Sequence, residues 1–383
     1  MSQPAAAPAA DREARAERFL MLSQHDFRTP RWANVHFIAA ELAKRGECRF
    51  FSHGFSVLST IKGDPRTPIA ASANRIERRD GVECYLWKTP LHPVHLDAPA
   101  LRPIERLAFA AYRAFPSPVL ARWIGEATTI VIESGLSPLF IALCRKANPA
   151  ARLIYLCSDD LATIGCSPVL IEALRTSEPL LDDIVIPSRA LAPSFERGDL
   201  LRHVPHGIDP SIARDADPSP YEPGLHAVSV GSMLFDRIFF EIAAPAFPAV
   251  TFHVIGAGAS AQGLSGPNLR VYPEMEYRRT LPFVKHAALG VAPYSQARFP
   301  AYLVDTSMKL MQFAYFGTPA VCPHAAAGGR AGRFGYIQGD RDSIVAAVEN
   351  ALAAPRLPGG SVLTWAEATD RMLDPAAYAD TKV

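Results

Sequence analysis

The second half of the chain carries a series of short segments whose residue types suit a bound diphosphate. They are Gly231-Ser232-Met233, Gly256-Ala257-Gly258, Pro273-Glu274-Met275, Pro293-Tyr294, and Thr306 to Gln312 (TSMKLMQ) leading into Gly317-Thr318-Pro319. A glycine turn lets backbone N–H groups approach a phosphate. A helix opening near Ser307 adds its positive end, and Lys309 adds a full charge. Each glycine taken alone reads equally well as a turn former. In series with Lys309 and Gln312, the segments read as a nucleotide site that stabilises a diphosphate leaving group.

The first half offers a base. Ser158-Asp159-Asp160 follows an apolar run, Ala151–Leu156, and a carboxylate at a strand's end can take a proton from a hydroxyl. The alternative is that one of the two acids caps the next helix; two adjacent acids allow one to do each job. His25-Asp26-Phe27-Arg28 follows the first apolar run and is a candidate contact for an acceptor phosphate or sugar, or plain loop. His206-Gly207-Ile208-Asp209 reads as a structural turn. His92 and His95 are three apart with no third ligand evident, which suits a surface loop better than a metal site.

These groups need elements to hold them. Phe19–Ser23 reads as a strand, 32–45 as a helix stopped by Gly46, and Arg49–Ser52 as a second strand, the opening of a parallel α/β sheet. Thr128–Glu133, Ala151–Leu156 and Ile184–Pro187 continue it as strands, with a helix at Pro138–Lys146. The polar, Pro-rich stretch 210–223 reads as a linker. A second series follows: Ala227–Gly231, Thr251–Gly256, Leu269–Tyr272, Leu289–Pro293 and Ala320–Cys322, with a helix at Thr306–Phe316. Continuous apolar runs bounded by Gly and Pro are what strands buried on both faces look like. Two doubly wound α/β halves result, with ligands expected at the carboxyl ends of the strands, in a cleft between the halves.

Composition agrees with a folded two-domain chain. The 383 residues are 49% hydrophobic and 20% charged, which excludes a largely disordered protein. Residues 11–125 hold 18 Lys and Arg against 12 Asp and Glu, a net of +6 in a chain whose total is +1. The N-terminal third therefore suits an anionic partner. None of the six cysteines forms a Cys-x-x-Cys pair, and several sit in apolar runs, as buried thiols of a reduced compartment do. No signal peptide or spanning segment is evident, so a soluble or peripheral protein is expected. Nucleic-acid binding has no motif to support it.

With those residues in view, the chain resembles a known family. His25–Pro30 (HDFRTP), Phe50-Phe51, Tyr85-Leu86-Trp87, Glu133-Ser134-Gly135, Ser158-Asp159, Asp217–Tyr221 (DPSPY), Val230–Asp236 (VGSMLFD), Val250–Gly256 (VTFHVIG), Ser307–Gln312 (SMKLMQ) and Arg333–Tyr336 (RFGY) are similar in order and spacing to the glucuronosyltransferases of xanthan assembly. These are inverting, GT-B-fold enzymes of glycosyltransferase family 70. The resemblance runs from about Phe19 to Tyr378. It implies UDP-glucuronate as donor, a mannose-ended, polyprenyl-diphosphate-linked oligosaccharide as acceptor, and action at the cytosolic face of the bacterial inner membrane without a metal. It places the base at Asp159 and donor contacts at Met233, Glu274, Met275, Tyr294, Ser307, Met308, Lys309 and Gln312. The chain departs from the family pattern at Asp160, where the family has Gly, and at Ser194, where it has Glu. The first departure puts an extra negative charge beside the base.

Two checks concern mechanism. Retaining GT-B enzymes place a Glu in the helix before the Gly-x-Pro turn; here that position is Gln312, which favours an inverting enzyme with its base in the other domain. GT-A enzymes need an Asp-x-Asp metal clamp; the one such spacing, Asp215-Ala216-Asp217, lies in the polar linker and reads as a chance match. The expected division is a flexible tail at 1–16, an acceptor-binding, membrane-facing domain at 17–209, a linker at 210–223, a nucleotide-sugar domain at 224–362, and a C-terminal segment at 363–383 packing back on the N-terminal domain. On a helical wheel of 101–115, Arg102, Arg106 and Arg113 fall together, opposite Leu101, Ile104, Leu107, Ala111, Tyr112 and Phe115. That suits a helix lying on an anionic lipid surface, or an ordinary amphipathic helix with its apolar face in the core. Two other functions stay open from the residues: a GT-B transferase using another UDP-hexose, and a non-catalytic glycan- or nucleotide-binding protein on the same scaffold.

Overall fold

The computed structural model describes residues 17–30, 32–93, 95–96, 98–295, 299–359 and 362–383. The tail expected at 1–16 lies outside the described residues. Contacts divide the chain into two compact units, residues up to Thr29 with Ile38–Ile184, and Pro30–Phe37 with Val185–Val383.

The first series of elements is β1 (Arg18–Ser23), α1 (Asn34–Ala43), β2 (Glu47–Ser56), α2 (Val57–Ile61), β3 (Ile76–Arg79), β4 (Val82–Thr89), α3 (Arg102–Ala114), α4 (Pro118–Glu126), β5 (Thr129–Glu133), α5 (Ile141–Ala147), β6 (Arg152–Leu156), α6 (Pro168–Ser177), β7 (Asp183–Ile186) and β8 (Leu201–His203). The described strands form an eight-stranded sheet in the order β3-β4-β2-β1-β5-β6-β7-β8. β1 lies parallel to β2 and β5, and β5 parallel to β6, so three carboxyl ends lie side by side at Ser23, Glu133 and Leu156. Phe19 to Leu22 are buried throughout, as both-face covering requires. β3 runs antiparallel to β4, and its IERR sequence is mostly exposed, as an edge strand's is.

The second series is α7 (Ile212–Asp215), β9 (Leu225–Val230), α8 (Ile238–Ala246), β10 (Val250–Ile255), β11 (Leu269–Tyr272), α9 (Tyr277–His286), β12 (Leu289–Val291), α10 (Leu303–Thr306), α11 (Met308–Tyr315), β13 (Ala320–Pro323), α12 (His324–Ala327), β14 (Arg333–Tyr336), α13 (Arg341–Ala353) and α14 (Trp365–Leu373). Its sheet runs β11-β10-β9-β12-β13-β14 and is parallel throughout. Phe313 of α11 packs so closely on β12 that a Cβ at Gly290 would lie 2.5 Å from its ring. That approach sets α11 down on the sheet.

The helix expected at Thr306–Phe316 is broken. Ser307 has extended backbone, ends α10, and caps α11 by accepting a hydrogen bond from the Leu310 N–H at 3.2 Å. In the second unit, Ile208 donates to the Leu363 carbonyl at 2.7 Å and its own carbonyl accepts from Trp365 N–H at 3.2 Å. A Cβ at Gly207 would lie 2.5 Å from that same backbone nitrogen. The His206–Asp209 turn is thus a clasp for the C-terminal segment, and Trp365 stacks on Phe37 at 5.0 Å.

Candidate active site

In the first unit, Asp159 stands three residues beyond β6. Its N–H donates to Ser134 Oγ at 3.2 Å, and its carbonyl accepts from Cys157 Sγ at 3.5 Å. Asp160 is committed locally. Its Oδ2 accepts from the N–H and the hydroxyl of Thr163, both at 2.8 Å, and its carbonyl accepts from Ile164 N–H at 3.1 Å. The two acids divide the work: Asp160 closes the turn after the strand. The helix that follows has its own cap, Ser167.

The loop after β1 behaves differently from a simple row of ligand contacts. Asp26 and Arg28 face one another, with Nε on Oδ1 and Nη2 on Oδ2 both at 2.8 Å, and Arg28 Nη1 reaches Glu77 at 2.7 Å. Burial opposes the Arg28 charge, but Asp26 and then Glu77 outweigh it and hold the guanidinium firmly protonated. Of the three candidates here, His25 is the one whose side chain is half exposed. Between the two loops lies a residue that sequence reading missed as a functional group, Glu133, at the end of β5. It is 3% exposed, and burial pushes its carboxyl up to about 7, with Ser23 and Ser158 pulling the other way. A charged residue closing an apolar strand (TIVIE) was the available signal.

In the second unit, Tyr294, Ser307 and Lys309 come together. The Tyr294 hydroxyl and Ser307 Oγ share a hydrogen bond of 2.6 Å, and Lys309 Nζ sits 5.2 Å from the centre of the Tyr294 ring. Among the described residues no carboxylate pairs with Lys309, and burial pulls its ammonium down to about 7. Met275 packs against the same apolar cluster as Tyr294 and Leu310. Gly231 N–H donates to the Ile255 carbonyl and Gly256 N–H to the Tyr272 carbonyl, so the first two loops are fixed by neighbouring strands. Gly256 has φ of +68°, a left-handed turn that favours glycine. Met233 and Glu274 are exposed and Met308 is half-buried. Gln312 is buried, and its amide donates to the Tyr277 hydroxyl at 3.2 Å. Arg333, which sequence reading carried only as part of a motif, donates to the carbonyls of Val304 at 2.8 Å and Ala326 at 3.0 Å.

Other sequence candidates resolve into structure. Asp215 pairs with Arg278, and Asp217 with Lys285 and His286 at 2.5 and 2.7 Å, so the Asp-x-Asp spacing serves ion pairs. His92 bonds Ser56 and His95 bonds Glu105, at 2.8 and 2.7 Å. Among the described residues no group of three or more His, Cys, Asp or Glu is placed to hold a metal, and no helix is long and apolar enough to cross a membrane. The cysteines are free; all are buried except Cys166, which is half-buried.

Helix α3 corrects the expected wheel. Glu105, Phe109 and Tyr112 face inward. Leu101, Ile104 and Leu107 are exposed, Leu107 by 71%, and so are Arg102, Arg106 and Arg113. The Tyr112 hydroxyl accepts from Gly54 N–H at 2.7 Å, which sets α3 beside the start of α2, where Val57 and Ile61 are also exposed.

The chain is similar to known proteins in sequence and in fold. The family model described as glucuronosyltransferase GumK, N-terminal domain, matches residues 21–187. The whole chain is 47% identical over 383 residues to the UDP-glucuronate:glycolipid 2-beta-glucuronosyltransferase of Xanthomonas campestris pv. campestris, of which it covers 95%. Among solved structures it is similar to the N-terminal domain of Candida albicans trehalose-6-phosphate phosphatase, with a TM-score of 0.63, 12% identity, and 96% and 98% of the two chains covered. It is also similar to a UDP-forming trehalose-phosphate synthase of Burkholderia xenovorans, with a TM-score of 0.59, 13% identity, and 95% and 96% covered. At those identities the likeness concerns the fold, which is GT-B.

Proposed function

The chain belongs to the GumK glucuronosyltransferase family, and from that premise we propose that it transfers glucuronic acid from UDP-glucuronate to a mannose-ended oligosaccharide carried on a polyprenyl diphosphate. In this reading residues 17–209 bind the acceptor and 224–362 the nucleotide sugar. The observation that carries it is Lys309, a cation without a carboxylate partner among the described residues, over Tyr294 and beside the Ser307 cap. A diphosphate supplies the missing negative charge, and the α11 amide groups that follow Ser307 add their dipoles.

The step is a single displacement. Asp159 takes the proton of the acceptor hydroxyl as that oxygen attacks the anomeric carbon. The bond from that carbon to the diphosphate breaks on the opposite face, and Lys309 offsets the charge left on UDP. One displacement inverts the configuration. The donor's carboxylate also needs a cation; Arg28 is already neutralised by Asp26 and Glu77, which favours Lys309, shared with the diphosphate, or its neighbours in the second unit. Met233, Glu274, Met275, Met308 and Gln312 complete the donor contacts, and His25 is the acceptor contact best placed to meet solvent, with Asp26 and Arg28 setting its loop.

The lipid carrier brings a membrane with it. The exposed apolar residues of α2 and α3, interleaved with Arg102, Arg106 and Arg113, fit a peripheral contact with the anionic cytoplasmic face of the inner membrane. The function is tested by mass spectrometry of the product formed from a lipid-linked mannosyl acceptor with UDP-glucuronate or UDP-glucose. A gain of one hexuronic acid residue supports the reading; gain of a hexose, or UDP binding with no product, overturns it.

A further inference from the structure

Three neighbouring strands end around one buried carboxyl. Glu133 Oε2 accepts from the hydroxyl of Ser23, at the end of β1, and Oε1 lies 3.3 Å from Ser158 Oγ, in the loop after β6. His25 Nε2 lies 3.8 Å from the same Oε1. Ser23 Oγ also accepts the His25 N–H at 2.8 Å, so its own hydrogen goes to Glu133. The next residue, Ser134, accepts the Asp159 N–H. Glu133 thus holds the loop of the candidate acceptor contact on one oxygen and the loop of the base on the other. The titratable groups around it are His25 after β1, and Tyr155, Asp159 and Asp160 on β6 and its loop. Among the described residues no Lys or Arg pairs with it, and His25 pairs with it as a cation only when protonated.

We infer that Glu133 is a positioning residue for the transfer, whose ionised carboxylate ties the Asp159 loop to the His25 loop and whose protonation loosens that tie. This rests on Asp159 being the base. The chemistry gives the direction. Both serine hydroxyls donate to an ionised carboxylate through charge-assisted bonds, which are roughly twice as strong as neutral ones. Once a proton sits on Oε1, the contact with Ser158 becomes a neutral one and must reverse its direction or lengthen. One of the two ties of the base loop to the end of β5 is then weakened. Burial brings this exchange near neutrality rather than into the usual carboxylate range. A base displaced by even a fraction of an ångström loses rate steeply.

The test measures kcat against pH at saturating UDP-glucuronate and acceptor, where bound diphosphate keeps Lys309 charged. Wild type should rise through a step near pH 7. Glu133→Gln, which keeps the shape but carries a donor on one side, should be about tenfold to a hundredfold slower at pH 8 and should lack the step. Glu133→Asp should restore part of the step. UDP-glucuronate binding should be unchanged in each. If Glu133→Gln fails to fold, Ser158→Ala takes its place, since it cuts the tie and leaves Glu133 intact; it too should be slower and lose the step. A step retained in either variant overturns the inference. So does a variant with wild-type kcat. Failure of the base assignment is separate: Asp159→Asn would then turn over, whatever the Glu133 variants do.

Discussion

Lys309 is half-buried with its ammonium held down by desolvation, so binding an anion there draws in a proton. Burial holds Lys309 at about 7, so its ammonium is mostly present at pH 6 and mostly absent at pH 8. A donor diphosphate restores the charged form. Affinity for UDP-glucuronate, measured without acceptor, should therefore fall by about tenfold, or about 1.4 kcal/mol, from pH 6 to pH 8. At pH 8 each donor bound should draw about 0.9 of a proton from the buffer. The diphosphate of a nucleotide sugar does not titrate in this range, so the proton belongs to the protein. Calorimetry in two buffers of different ionisation enthalpy reads it directly. Lys309→Met should bind more weakly at pH 6 and show neither the pH dependence nor the uptake. Equal affinity at both pH values in wild type, or proton uptake surviving in the methionine variant, would refute the assignment of Lys309 to the diphosphate.

Further outcomes follow from single contacts. Ser307→Ala removes the cap of α11 and the partner of the Tyr294 hydroxyl, and should cost about 1–3 kcal/mol in denaturant unfolding, with weaker UDP binding. Glu133 binds its proton more tightly folded than unfolded. Its contribution is present below its ordinary value of 4.5 and lost as pH rises through about 7, on the order of 3 kcal/mol in all. The melting temperature of wild type relative to Glu133→Gln should accordingly fall between pH 5 and pH 8. Replacing Arg102, Arg106 and Arg113 together by Glu should abolish binding to anionic vesicles, since each arginine near such a surface contributes about 1 kcal/mol; unchanged sedimentation with vesicles would rule out this surface.

Most parallel strands were legible because burial on both faces leaves unbroken apolar runs, as in TFHVI and RLIYL; β4 (VECYLWKT) and β14 (RFGY), both parallel, were not read as strands because charged residues interrupt or open them. Nor were the edge strands β3 (IERR) and β8 (LRH), which carry charge and lack a pattern. The break at Ser307 was hidden because apolar spacing passes through it, while its cap depends on one backbone angle. The wheel of α3 put Tyr112 on one apolar side with Leu101, Ile104 and Leu107, but Tyr112 is buried with Phe109 against the core while those three are exposed. Of the two acids after β6, sequence left the roles open; Thr163, one turn on, takes Asp160 and settles that one. Glu133 escaped notice because a strand-ending acid looks solvated until the neighbouring strand ends are seen to enclose it.

The proposed transfer turns on Asp159. Single-turnover transfer from UDP-glucuronate to a lipid-linked mannosyl acceptor, alongside donor binding, should be measured for Asp159→Asn. Transfer should fall by about two to four orders of magnitude while donor affinity holds. Transfer at the wild-type rate, or loss of donor binding in step with the rate, would contradict it.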